Sequence, residues 1–394
     1  MSGPRLADRQ LEIVLRNRVF FGVGAMARLP EVVRAAGGSR VFVVTDPGVR
    51  RSGVVGRVLD VLAVAGLEAG CFDDVEPNPS AATVERGALA LRAFGLEGTI
   101  VVAVGGGSSM DSAKALDLGA VNEVSVWELG YDDPGLTPGR PIVAIPTTAG
   151  TGAETNSYGV ITDEAAGRKG YVGHPSLLPV ATILDPGLTV GLPPAATAAT
   201  GIDALTHALE SLLSRNPNPF AEAMALGVVR TVGEWLPRAV ANGSDLEARS
   251  RMLVASHLAG VGQASGTGVG LVHALGHALG TRGRLSHGTA LAVVLPEVLD
   301  FYRGIRDREL ALVGVALKVA SPADDEALAA AAAVGAVRAL LTSLAQRPTL
   351  RSLGFDEVTL DVVAQDALDD AAIRNSPRLP VIEQARQILG SVLD

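Results

Sequence analysis

Short apolar runs rich in β-branched residues alternate with helical periods through the first half of the chain. Residues 41–45 (VFVVT), 99–104 (TIVVAV), 142–146 (IVAIP) and 182–184 each stop at Asp, Gly, Pro or Thr. Bounded runs of this kind predict buried parallel strands. Residues 54–65 and 81–94 lie between them with apolar positions at helical spacing, which completes a βαβ pattern. Residues 158–173 (YGVITDEAAGRKGYVG) place two β-prone runs around a charged, Gly-containing turn, the pattern of a hairpin. After Pro186 the strand-like runs stop. Ala/Leu/Val periods over 195–213, 219–240, 246–264, 269–279, 291–302 and 324–344 predict an all-helical second half. The expected division is residues 1–187, an α/β domain, and residues 188–394, an all-α domain. No internal repeat is present.

The length of 394 residues agrees, since roughly 150 residues per domain leaves room for two or three. Hydrophobic residues make up 48% and charged residues 19%, which describes packed cores rather than disorder. With 33 basic against 42 acidic side chains the net charge is −9, so a phosphate backbone finds no cationic surface and nucleic acid is not an expected partner. Cys71 is the only cysteine, and folding therefore needs no oxidising compartment. The charged N-terminus has no apolar signal core, and a cytoplasmic location is expected. The uncharged stretch 252–281 is long enough for a bilayer. It carries His257, His273, His277 and Gln263, which are costly at membrane depth, so no membrane association is expected.

Two Gly-rich loops follow predicted strands. In VVAVGGGSSMDSAKAL, Gly106, Gly107, Ser108 and Asp111 stand between a strand and a helix, where backbone N–H groups and the helix dipole of about half a charge attract a pyrophosphate. Neither GxGxxG nor GK[ST] is present. The second loop, PTTAGTGAE from Pro146, offers the hydroxyls of Thr147, Thr148 and Thr151 with glycines that allow close approach. Asp46, in VVTDPG at the end of a strand, stands where an acidic residue accepts from adenosine ribose hydroxyls.

Four of the six histidines fall in two groups. In GIDALTHALES, Asp203 and His207 are four apart and share a helical face. In HALGHALG and the following LSHG stand His273, His277 and His287. A carboxylate with imidazoles converging from separate helices is a divalent-metal ligand set. The HALGH segment is not a zinc-protease helix, because Ala274 occupies the place of the general-base Glu. Spacing alone does not say which of the three later histidines bind metal. His174 and His257 have no partner pattern and read as loop and core residues.

Together GGGSSMDSAK at Gly105, PTTAGTGAE at Pro146, KG at Lys169, ILDP at Ile183, GIDALTHALES and HALGHALG…SHG resemble the iron-containing, metal-dependent alcohol dehydrogenases. The likeness runs from FGVGAMARLPE at Phe21 to NSPR at Asn375. It implies a dehydroquinate synthase-like fold with cofactor and metal in a cleft between an α/β dinucleotide-binding domain and an all-helical domain. It places the metal ligands on Asp203, His207, His273 and His287, and makes His277 a catalytic residue near the nicotinamide that does not ligate. It assigns Asp46, Asn78, Gly106, Gly107, Ser108, Asp111, Thr147, Thr148, Thr151 and Lys169 to the cofactor, with Asp46 favouring NAD over NADP. Fe(II) follows from the likeness, while imidazole ligands suit Zn(II) as well. The implied activity is hydride transfer between NAD(H) and a small alcohol or aldehyde in a homodimer.

Two alternatives share these features: a dehydroquinate synthase-type lyase or cyclase that uses NAD transiently, and a non-catalytic NAD- and metal-binding protein. Arg282 and Arg284 stand in a polar loop where many relatives have apolar or mixed residues; solvent exposure is the expected state, and one of them turned into the cleft would select an anionic substrate. Tyr158 lies in a stretch that varies among relatives and is expected to touch substrate.

Overall fold

A computed structural model of the protein describes residues 17–131, 133–163 and 168–394, with the backbone alone at Arg168. Its strands are β1 (Arg18–Phe21), β2 (Arg40–Val44), β3 (Glu68–Phe72), β4 (Thr99–Gly105), β5 (Ile142–Pro146), β6 (Tyr158–Asp163), β7 (Arg168–Gly173) and β8 (Ala181–Leu184). Six of them form one sheet in the order β1-β8-β5-β4-β2-β3, every pairing parallel. β6 and β7 form the antiparallel hairpin expected from the alternation over 158–173, paired from Tyr158 with Gly173 to Asp163 with Arg168. The central strands alternate their side chains between two cores. Val41, Val43, Val102, Val104, Val143 and Ile145 face one helical layer, and Phe42, Val44, Val101, Ala103 and Ala144 face the other. Burial on both faces is why these strands read as unbroken apolar runs.

The sequence pattern misses β1 and β3, and these are the two edges of the sheet. Each presents exposed residues, Val19 and Phe21 on one edge and Glu68 and Ala69 on the other, so neither forms a continuous apolar run.

The helices of the first half are α1 (Leu29–Ala35), α2 (Pro47–Arg51), α3 (Val54–Val64), α4 (Ala81–Phe94) and α5 (Gly107–Asn122). From Pro194 onward the described chain is helical: α6 (Pro194–Leu213), α7 (Pro219–Ala241), α8 (Leu246–Gly262), α9 (Leu271–Gly283), α10 (His287–Phe301), α11 (Asp307–Ala316), α12 (Glu326–Ser343), α13 (Glu357–Asp369) and α14 (Ile382–Gly390). Side-chain caps from Asn218, Asp245, Ser286, Asp325 and Asp356 start α7, α8, α10, α12 and α13. α11, α13 and α14 were not legible as separate periods. α10 begins four residues before the expected start, so His287 is the first helical residue and not part of a loop. α8 ends in one π-turn over Gln263–Thr267, where Gly266 takes φ 93. By length and composition α12 would cross a bilayer, yet its Ala330, Ala333, Val337 and Leu341 are buried in the helical core.

Around the sheet, β2 leads outward to β3 and β4 leads the other way to β5. The chain direction reverses between β2 and β4, and a crevice for ligands forms outside the carboxyl ends of strands at such a point. Asp46, Gly105 and Thr147 stand at the carboxyl ends of β2, β4 and β5. The helical half closes on this edge through glycine. Gly152 has φ 60, and a Cβ there would lie 2.7 Å from the Cα of Gly260 on α8; a Cβ on Gly260 would lie 2.8 Å from the Gly152 carbonyl oxygen. Gly260→Ala should therefore push the second loop off α8 and destabilise the protein by about 1–3 kcal/mol. Gly56→Ala on α3, where a Cβ meets nothing within 4 Å, should be neutral or stabilising. Thermal midpoints of the two variants check this.

Candidate active site between the sheet and the helices

Two connected cavities open at the carboxyl edge of the sheet. The outer one, of about 990 Å³, is lined by Asp46, Gly106, Gly107, Ser108, Thr147 and Thr148 among others. The inner one, of about 140 Å³, is lined by Asn78, Gly107, Ser108, Asp111, Thr151 and Lys169 from the first half, and by Asp203, His207, His273, His277 and His287 from the helices. Gly107 and Ser108 border both. Every residue that the sequence assigned to cofactor, metal or catalysis thus lines one cavity or the other.

The first Gly-rich loop is a helix start. α5 is capped by Gly106 with no side chain on its first N–H groups, which leaves them directed into the cavity. Gly105 takes φ 153 with the Ser109 side chain packed against its missing Cβ, and a Cβ on Gly107 would lie 2.7 Å from Thr151. Only glycine lets the two loops meet here. Asp46 does double duty. Its Oδ1 accepts from the N–H groups of Gly48 and Val49, capping α2, and its Oδ2 accepts from Ser109 Oγ at 3.2 Å.

The inner chamber is braced by buried charge. Lys114, 1% exposed, donates to the carbonyl of Ala153 at 2.6 Å, to Asn156 Oδ1 at 2.7 Å and to the carbonyl of Tyr158 at 2.8 Å. One ammonium thereby fastens α5, the second loop and β6. Burial lowers its pKa to about 8 against the pull of Asp111 and Glu154, while burial raises Asp111 to about 6 against Lys114 and the Val160 N–H. Lys169 donates to Asn78 Oδ1 at 2.8 Å and Thr162 Oγ1 at 3.1 Å, and burial lowers it to about 8 as well. Tyr158, expected to touch substrate, does line the chamber. Gln263, from the π-turn, donates to its hydroxyl at 3.1 Å, and burial with the nearby Asp111 raises the phenol to about 12.

On the helical wall, Asp203 and His207 project from one face of α6, His273 and His277 from α9, and His287 from the first turn of α10. Asp203 Oδ1 lies 3.4 Å from His207 Nδ1 and 3.6 Å from the Nε2 atoms of both His273 and His287. The facing atoms of Asp203, His273 and His287 fall within 4.8 Å of one another. Asp203 Oδ1, His207 Nδ1 and His273 Nε2 are buried without a hydrogen-bond partner. Buried polar atoms that face one point and lack partners, on one carboxylate and two imidazoles, with the His287 Nε2 facing the same carboxylate oxygen, fit a divalent cation. Burial pushes the Asp203 carboxyl up, but the imidazoles of His207, His287 and His273 outweigh it and hold the group well below the carboxylate range. Burial lowers His287 to about 3. His277 makes a different contact: its Nδ1 bonds Asp370 Oδ2 at 2.7 Å while its ring stacks on His287, centroids 5.4 Å apart.

Two carboxylates escaped the sequence reading. Glu210, on α6 three residues after His207, meets His273 Nδ1 at 2.6 Å, and Asp370 orients His277. Glu210 was visible as the third acidic or imidazole position on the Asp203 face; Asp370 carried no sequence signal. Neither arginine turns into the chamber. Arg282 forms a two-pronged pair with Asp366 on α13 at 2.7 and 3.1 Å, Arg284 is exposed at the end of α9, and neither lines the chamber. His257 is a core residue as expected, bonded to Glu154 at 3.0 Å, and His174 caps a short turn through Ser176.

Comparison with known proteins places the chain among alcohol dehydrogenases. A family model described as iron-containing alcohol dehydrogenase matches residues 16–186, and the C-terminal model of the same family matches residues 197–393. The chain is 36% identical to the 1,3-propanediol dehydrogenase of Klebsiella pneumoniae over 95% of its own length and 96% of that protein. It superimposes on a crystal structure of a 1,3-propanediol oxidoreductase with a TM-score of 0.93 at 34% identity, covering 98% of this chain and 100% of the other. The sulfoacetaldehyde reductase of Bifidobacterium kashiwanohense, solved with NAD+, superimposes with a TM-score of 0.87 at 25% identity, covering 98% of this chain and 99% of the other.

Replacing Lys114 by Met should take this donor from the Ala153 and Tyr158 carbonyls, with Asn156 Oδ1 keeping only the Tyr158 N–H, and destabilise the protein by about 3 kcal/mol. Denaturant unfolding of Lys114→Met beside wild type measures it.

Proposed function

This chain belongs to the iron-containing alcohol dehydrogenase family and interconverts alcohols and aldehydes, and we propose that it does so with NAD and Fe(II) in the two connected cavities. The observation that carries the reading is the convergence of Asp203, His207, His273 and His287, the first three each with a buried atom otherwise unpartnered, beside a chamber that Gly107 and Ser108 at the bare N-terminus of α5 also line. Those four residues hold the cation, with Zn(II) also suited to the donor set. When bound, the cation acts as a Lewis acid on the substrate oxygen and the nicotinamide exchanges the hydride.

The rest is the work of the chain. The N–H groups at the start of α5 receive the pyrophosphate, with Gly106, Gly107, Ser108, Thr147, Thr148 and Thr151 around it. Asp111, Asn78 and Lys169 border the inner chamber, where the reactive end of the cofactor belongs. His277 sits within reach of that chamber with Asp370 on its far nitrogen, so the imidazole can pass the substrate hydroxyl proton outward. The chamber volume of about 140 Å³ suits a small alcohol or aldehyde. A division into two domains near Gly187, a cytoplasmic location and a homodimer complete the reading. Val19 and Phe21, exposed on the edge strand β1, give a second copy an apolar surface.

Protein loaded with Fe(II) should form NADH from short primary alcohols. Asp203→Ala, His207→Ala, His273→Ala and His287→Ala should each lose metal and turnover together. His277→Ala should keep its metal and lose turnover by about 100-fold. Metal analysis beside steady-state kinetics decides it, and a His277→Ala protein without metal would require a different ligand set.

The cofactor preference turns on Asp46. Its carboxylate repels a 2′-phosphate, whereas Arg51 and Arg57 on the same cavity wall would attract one. Wild type should prefer NAD, and Asp46→Gly should move the kcat/KM ratio toward NADP. Glycine is tolerated at a helix N-cap at a cost of a few tenths of a kcal/mol, so the fold should remain. A wild-type preference for NADPH would refute the role of Asp46.

A further inference from the structure

Glu210 is 5% exposed inside the helical core, and three N–H groups converge on it. Its Oε2 accepts from the Gly270 N–H at 2.8 Å and from His273 Nδ1 at 2.6 Å, and its Oε1 accepts from the Val272 N–H at 2.7 Å. The two backbone donors belong to the start of α9, which has no capping side chain of its own. Gly270 leaves room for the carboxylate, since a Cβ there would lie 3.1 Å from Oε1. An ionised carboxylate only accepts, so the contact places the His273 proton on Nδ1 and leaves the lone pair on Nε2. That Nε2 is the buried, unpartnered atom 3.6 Å from Asp203 Oδ1.

We propose that Glu210 is the positioning residue of the metal centre: it fixes the tautomer and orientation of His273, and by the same carboxylate fixes the helix start that delivers this histidine. The role rests on the reading of Asp203, His207, His273 and His287 as the cation site. A carboxylate on the far nitrogen of a ligating imidazole raises its basicity and orients its ring, and removing such a partner costs 10- to 100-fold in metal affinity. Glu210 lies on the same helix as Asp203 and His207, so α6 supplies two ligands directly and holds a third from α9 in register.

Glu210→Gln tests this with almost no change of shape. An amide offers one accepting oxygen and one donating nitrogen, so one of the three N–H groups must face another donor. With the nitrogen in the Oε2 place, His273 turns to the tautomer with its proton on Nε2 or its ring shifts; with the nitrogen in the Oε1 place, it faces the Val272 N–H and the start of α9 shifts with His273 on it. Chelator competition with Zn(II) and Co(II) on the purified metal-free proteins should give dissociation constants 10- to 100-fold weaker for Glu210→Gln, and the visible spectrum of the Co(II) form should change with the loss or displacement of His273. Circular dichroism and a cooperative melt of the metal-free variant should show it folded.

Equal dissociation constants for wild type and Glu210→Gln would overturn the positioning role and leave the metal site standing. A metal-free variant that fails to fold would overturn it in favour of a helix cap alone. Wild-type protein that binds neither ion would overturn the metal site and this role together.

Discussion

The helical half of the molecule is arranged around a carboxylate and three imidazoles that point at one another inside an apolar core. A buried polar group without a partner costs about 1–3 kcal/mol, and here Asp203, His207 and His273 each contribute one such atom. All three are almost wholly buried, and their chain neighbours Leu205, Ala208, Val272 and Ala274 belong to the helical core. They are tolerable together because the negative charge of Asp203 faces imidazoles on all open sides, and because a cation would satisfy every lone pair at once. This constraint explains why α6, α9 and α10 begin and end where they do. Ser286 starts α10 so that its first residue is His287, and Glu210 starts α9 so that its third residue is His273.

The sheet meets a separate constraint at its carboxyl edge. Backbone N–H groups can serve a pyrophosphate only if nothing else caps them and no side chain stands in front. Glycine at 105, 106 and 107 meets both conditions, at the price of a flexible segment that Ser109, Thr148 and Thr151 must then pack against. Lys114 supplies the rigidity from behind. Its three bonds tie α5 to the second loop, to Asn156 and to β6, so the positions of the two loops are not independent.

What could be read from the sequence was whatever depends on local period. The central strands are buried on both faces and gave unbroken apolar runs, and the pairs Asp203/His207 and His273/His277 sit four apart on helices. The edge strands β1 and β3, half exposed, have no such signature. The place of Arg282 is a matter of phase. It follows His273 by nine residues, which at 3.6 residues per turn is roughly the opposite face of α9, so it meets Asp366 on α13 and not the chamber. Glu210 was within reach of the same reasoning, as the next position on the Asp203 face. Asp370 was not, because it comes to His277 from 93 residues away.

The two cavities share a wall only two residues wide. Gly107 and Ser108 border both, and Gly107 is in contact with Thr151, so the floor of the cofactor crevice is also a side of the substrate chamber. Asn78 joins the same wall: its backbone N–H donates to Ser108 Oγ at 3.3 Å and its side chain accepts from Lys169. A group bound at the start of α5 therefore touches residues that also border the imidazole chamber. The same economy makes the site intolerant of growth at Gly107, where a Cβ would meet the Thr151 methyl at 2.7 Å and force both loops to move.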